Sequence, residues 1–201
     1  DNDDDDDDDD AYSINVAVAL AVSGAAAYKG LAAVLLEEGA HAEAAAELRM
    51  SVEILRALVE HSPRQHFADF AAAVHALVMA CRGAPASIDD AAELLSLTRQ
   101  SHELLRSELR RAPYIEVIDY LEALADLLAL AVEPKDRAEA LSDAALFAAT
   151  ALASVAWVHR PRSLRARALA LDRIAEELRA IGRSDLASAY GEASRRCRSR
   201  S

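Results

Sequence analysis

Three prolines, Pro63, Pro113 and Pro161, stand 50 and 48 residues apart, and the stretches between them carry apolar residues at helical spacing. Proline has no amide hydrogen and disfavours helix in the residue before it, so each one marks a boundary. A near-constant interval of this size in a helical chain is the mark of one supersecondary unit used repeatedly. From Ala11 onward no strand-like alternation competes with the 3.6-residue period. The composition agrees. Alanine supplies 47 of the 201 residues and aromatic residues only 4%. Alanine is the strongest helix former, and its small side chain lets helices approach closely.

The remaining breaks are regular. They are Gly39, Ser62-Pro63, "RGAPAS" (82–87), Ala112-Pro113, "EPKD" (133–136), Arg160-Pro161 and Ile181-Gly182-Arg183. Gly39 and Gly182 suit the left-handed position after a helix. Ser87 suits an N-cap, with Asp90 three residues on in a capping-box-like arrangement. The spacing predicts eight helices, over 12–38, 41–61, 65–82, 88–111, 114–132, 136–158, 163–181 and 184–198. Their short connections make successive helices antiparallel hairpins.

Aligned by small and large residues, the hairpins share a pattern. The first reads Tyr28, Leu31, Ala32, Leu35, Gly39, Ala44, Leu48, Ser51. The last reads Leu171, Ile174, Ala175, Leu178, Gly182, Ala187, Gly191, Ser194 at identical spacing. Gly191 lacks the bulk of Leu48, and neighbouring Tyr190 is expected to fill that place. The third unit, from Leu121, Leu124, Ala125 and Leu128, matches with one inserted residue. The second, from Val74, Leu77, Val78 and Cys81, matches least well. The large residues form one apolar stripe, the alanines admit the returning helix, and the glycine closes the corner. Each hairpin leaves a face for the next to cover. The expected fold is all-α: a right-handed α-solenoid of about four hairpins, in one domain over 11–201 with units near 11–62, 63–112, 113–160 and 161–198.

This pattern resembles the tetratricopeptide repeat family, in its long-helix bacterial form. The resemblance implies a peptide or protein partner held on the concave face of the first helices. Carried across position by position, it nominates Lys29 and Glu37 in the first unit, with Ala33 and Leu36 between. It nominates His75 and Arg82 around Met79 in the second, Glu122 and Asp126 before Ala129 in the third, and Asp172, Glu176 and Arg179 in the fourth. The clamp by which some members hold a C-terminal carboxylate is not expected, since Lys29 alone fits it and Ala33 replaces its asparagine. The later positions are acidic and suit a basic or mixed peptide.

Charge divides the chain. Of its −12, nine acids lie in "DNDDDDDDDD". Residues 11–159 carry −9 and residues 160–201 carry +6. That polarity suits steering of a partner or self-association. The opening run is expected to be an acidic disordered tail, or an artefact in which unassigned residues are written as Asp. Ile14 to Leu36 is long enough to cross a bilayer, with Lys29 its single charge. Polar and glycine residues dilute it, and no basic or aromatic belt flanks it. It and the run Ala144–Val158 are therefore expected to be helices buried on several sides.

No chemistry emerges. His102-Glu103 begins like a zinc-protease helix, but Arg106 stands where the second ligand belongs. His41-x-Glu43 lacks the cysteine pair of a zinc deaminase. His61 and His66 flank a proline loop and are expected to be exposed bystanders. Cys81 sits on an apolar stripe and is expected to be a small core residue; it and Cys197 suggest no disulfide framework. Neither a metal nor a cofactor is expected. Arg160, Arg162, Arg165, Arg167 and the tail "RRCRSRS" can contact phosphate, but without interleaved aromatic residues nucleic acid is disfavoured. The expected function is a non-enzymatic protein–protein interaction scaffold in the cytoplasm, away from membranes. The alternative is a regulatory or sensor repeat domain cut from a larger signal-transducing ATPase or transcription regulator. The absence of an initiating Met favours a fragment.

Overall fold

In the computed structural model, residues 6–82, 88–109, 117–131, 136–138, 140–145 and 161–200 are described. Side chains are described over 14–82, 91–107, 120–131, 136–138, 140–145 and 164–200. The helices are α1 (Asp6–Glu37), α2 (His41–His61), α3 (Pro63–Arg82), α4 (Ile88–Leu109), α5 (Val117–Leu130), α7 (Pro161–Ala180) and α8 (Ser184–Arg198). Between α5 and α7, residues 136–138 and 140–145 are helical and are called α6. Among the described residues every regular element is a helix, as the period requires. The "RGAPAS" stretch after Arg82, the Ser87 cap, Pro113 and most of Ala144–Val158 lie outside the described residues.

Two of the prolines stand at helix boundaries, as expected, and each opens the following helix. Pro63 and Pro161 are the first residues of α3 and α7. There the missing amide hydrogen would have had no partner, and the fixed φ is already helical. The acidic leader departs from expectation, because Asp6 to Asp10 form the opening turns of α1. Carboxylates are favoured at the positive end of a helix.

The chain divides into two compact units, Asp1–Ala86 and Ser87–Ser201. The division falls between α3 and α4, within the stretch expected to form the second hairpin. In the first unit α2 packs on both α1 and α3. In the second, α5 packs on α4 and α7, and α7 packs on α8. Ion pairs Arg99–Asp136 and Arg106–Asp143 join α4 to α6, and the Tyr190 hydroxyl donates to Ala144 O at 2.8 Å to join α8 to α6.

The first and last hairpins are copies down to individual hydrogen bonds. In α1–α2, Ser51 Oγ donates to Ala25 O at 2.9 Å; in α7–α8, Ser194 Oγ donates to Ala168 O at 3.1 Å. Both glycine corners have positive φ, 77° at Gly39 and 79° at Gly182. At the first corner Ala40 N–H donates to Leu35 O and Gly39 N–H to Leu36 O. At the second, Arg183 N–H donates to Leu178 O and Gly182 N–H to Arg179 O. This pair of bonds satisfies carbonyls that the ending helix leaves over. Ala32, Ala44, Ala175 and Ala187 are all buried where the two helices meet. Tyr190 is fully buried with its hydroxyl on α6, whereas a side chain at Gly191 would meet Arg179 of α7 at 3.8 Å.

One expectation about the core is overturned. The apolar stretch of α1 is not buried on several sides: 11% of its most apolar 18-residue window within Ile14–Glu37 is buried. Ala25 and Ala32 are its buried residues, while Ile14, Val16, Leu20, Leu31 and Val34 are exposed. The reason is geometric. α2 is the principal neighbour of α1, and one packed helix covers one stripe of a cylinder.

Candidate functional site

The nine nominated partner-binding residues do not form one class. In the first unit Lys29 and His75 are half-buried, and Glu37 and Arg82 are exposed. Met79, between His75 and Arg82 on α3, is also exposed. In the second unit Glu176 and Arg179 are exposed on α7, and Glu122 is half-buried on α5. Asp172 is half-buried and takes Arg198 of α8 as its ion-pair partner. Asp126 is 1% exposed, and Arg173 Nη2 donates to its Oδ1 at 2.7 Å. Its side chain belongs to the contact between α5 and α7, so as a residue of an open face it is withdrawn. A carboxylate in that contact needs a charged partner, and Arg173 supplies it.

The arginine-rich end is similarly engaged. Arg195 and Arg196 both pair with Glu192, and Arg183 chelates Asp185 through two hydrogen bonds. Those bonds hold the Asp185 carboxyl down at about 2, and the Arg196 hydrogen bond lowers Glu192. Arg167 is buried rather than presented to solvent. Of the two loop histidines, His61 is exposed with Nδ1 2.9 Å from Ala57 O, whereas His66 is buried. Cys81 and Cys197 are buried thiols, and burial pushes the Cys197 thiol up.

The second unit also contains a buried polar cluster that sequence reasoning missed. Thr98, Ser101 and His102 lie on one face of α4 at helical spacing and are almost fully buried. The His102 ring stacks on Tyr120 of α5, with centroids 4.8 Å apart and planes tilted by 30°. Asp143 of α6 faces it: Oδ2 is 3.7 Å from His102 Nδ1, and Oδ1 pairs with Arg106 Nη1 at 2.8 Å. Burial, reinforced by Arg106 and partly opposed by Asp143, pulls the imidazole down to about 4. It is therefore neutral near neutral pH. Tyr190 reaches the same region, and burial, Tyr120 and Asp143 all push its phenol up.

The cluster has the residue types of a catalytic site without the geometry. Neither the Thr98 nor the Ser101 hydroxyl is hydrogen-bonded to His102 Nε2, so no nucleophile is coupled to a base. Among the described residues no group of three His, Cys, Asp or Glu is placed to hold a metal ion. What the arrangement does is join α4, α5 and α6 through one carboxylate and one ring stack. The signal available in the sequence was the 98/101/102 spacing of three polar residues on an otherwise apolar face. No family model, curated protein or solved structure matches the chain.

Proposed function

We propose that the protein is a non-enzymatic interaction module built from tetratricopeptide-like hairpins, forming a right-handed solenoid and binding a peptide or protein on exposed faces of its first helices. The observation that carries this reading is the duplicated hairpin. Ser51–Ala25 and Ser194–Ala168 recur with the same sequence separation, 26 residues, beside the same glycine corner. Such duplication serves a surface that extends by repetition. The second unit supports it further: first helix meets first helix at α5–α7, and second meets second through α4–α6 and α6–α8. In that unit the binding surface consists of Glu122, Glu176 and Arg179, with Asp172 at its edge. A partner with basic side chains fits it.

The pairing with α2 supports a water-exposed setting for α1. Ser51 of α2 faces Ala25 in the middle of the apolar stretch of α1, and Glu47, Arg49 and Glu53 lie within about one turn of Ser51. Were α1 to span a bilayer in this pairing, those charges would enter the hydrocarbon, at about 2.5–3.5 kcal/mol each. The test of the binding surface is a pull-down from native lysate with Glu122→Arg/Glu176→Arg against the unaltered chain. Loss of the same captured protein, with helical circular dichroism unchanged, supports the assignment. Undiminished capture removes it.

A further inference from the structure

On α1, the residues Ala17, Leu20, Gly24, Ala27, Leu31 and Val34 recur at alternating spacings of three and four, the period of a helix-pairing seam. Most of the seam turns away from α2, whose contact runs along Ala25 and Ala32; Gly24 lies at the edge of that contact, where a side chain would meet Ile54 of α2 at 3.9 Å. It is open: Leu20 is 68%, Leu31 49% and Val34 51% exposed. In the matching hairpin, the seam positions on α7 include Ala170 and Ile174, both buried, Glu177, half-buried, and Arg167, buried beside Cys197 of α8. There α7 packs against another first helix, α5, as well as against α8. The duplicated hairpin thus shows what covers this seam when it is covered: an alanine- and leucine-rich helix.

We propose that α1 of a second copy of this chain occupies the seam, in an antiparallel, two-fold symmetric pair. The side chains are self-complementary in that direction. About the midpoint between Gly24 and Ala27, Leu20 falls opposite Leu31 of the second copy, Ala17 opposite its Val34 and Gly24 opposite its Ala27. Small residues at the centre let the two backbones approach, and leucines close both sides. A two-fold pair uses one patch twice, and this patch bears no charge that would repel its copy. Lys29, the one charge in the stretch, lies off the seam. The proposal does not depend on the peptide-binding surface of α5 and α7.

The test is sedimentation equilibrium of the full chain in the micromolar range, with flotation on phosphatidylcholine vesicles as a parallel arm. The unaltered chain is expected at the mass of two copies, and Leu20→Glu/Leu31→Glu at the mass of one, both with the same helical circular dichroism. Ala33→Glu, on α1 but outside the seam, is expected to stay at two. Oxidised Leu20→Cys/Leu31→Cys is expected to give crosslinks of position 20 to position 31 between chains, the native cysteines being buried. A monomeric unaltered chain, or a glutamate variant that still pairs, overturns the proposal. A chain that is monomeric in buffer but floats with vesicles overturns it in favour of a bilayer. Crosslinks of 20 to 20 and 31 to 31 overturn the antiparallel arrangement.

Discussion

Ser194 donates its hydroxyl hydrogen to the carbonyl oxygen of Ala168 at 3.1 Å, joining α8 to α7 where both residues are buried. The Ala168 carbonyl also belongs to a helix ladder, so the serine adds a second bond to an acceptor with two lone pairs. Ser51 does the same for Ala25 in the first hairpin. Replacing either serine by alanine removes a bond without orphaning a buried acceptor. Ser51→Ala and Ser194→Ala are each expected to cost about 1 kcal/mol in urea unfolding. Because the two lie in separate units, the double variant is expected to show the sum of the two costs.

The glycine corners test the same equivalence through the backbone. At Gly39 and Gly182 a side chain would meet no atom within 4 Å, so only the positive φ resists substitution. Gly39→Ala and Gly182→Ala are each expected to lose about 1 kcal/mol. Asparagine, which tolerates this conformation better, is expected to lose less at both. Thermal unfolding of the four variants checks the order. Unequal costs at the two corners would break the equivalence of the hairpins.

The buried imidazole makes stability depend on pH. His102 holds its proton only below about 4 in the folded chain, against an ordinary value of 6.5. Above 6.5 it is neutral in both states, and its contribution is fully present. As pH falls from 6.5 to 4 the unfolded chain binds the proton and the folded chain does not, so stability drops. The loss is on the order of 3 kcal/mol and levels off below the folded value. His102→Gln removes the titration, and its urea midpoint is expected to fall less over that window than that of the unaltered chain.

These three cases differ in how far they could be read from sequence. The corner glycines and Ser51/Ser194 were legible because a hairpin is local: spacing alone decides which residues meet. The His102 cluster was not, since Asp143 comes from a different hairpin and helical spacing does not state the register between hairpins. Asp126 failed for the same reason, being placed on an open face by its position along the repeat when α7 covers it. The exposure of α1 was illegible for a third reason. Apolarity says what a face prefers, while burial requires that a neighbour be there.

Asp126 and Arg173 give the sharpest separation between a structural and a binding role. The carboxylate is 1% exposed in its side chain and the guanidinium 24%, so the two sides of the pair are unequal. Removing the arginine leaves a buried charge without its guanidinium, whereas removing the carboxylate leaves a cation that can turn to water. Arg173→Leu is therefore expected to cost on the order of 3 kcal/mol, and Asp126→Leu distinctly less. The double variant is expected to be more stable than Arg173→Leu alone, because the buried carboxylate that lost its guanidinium is gone. A thermodynamic cycle by urea unfolding measures this coupling directly. Had Asp126 belonged to an open face, its loss would leave stability within about 0.5 kcal/mol and the double variant no better than the arginine variant.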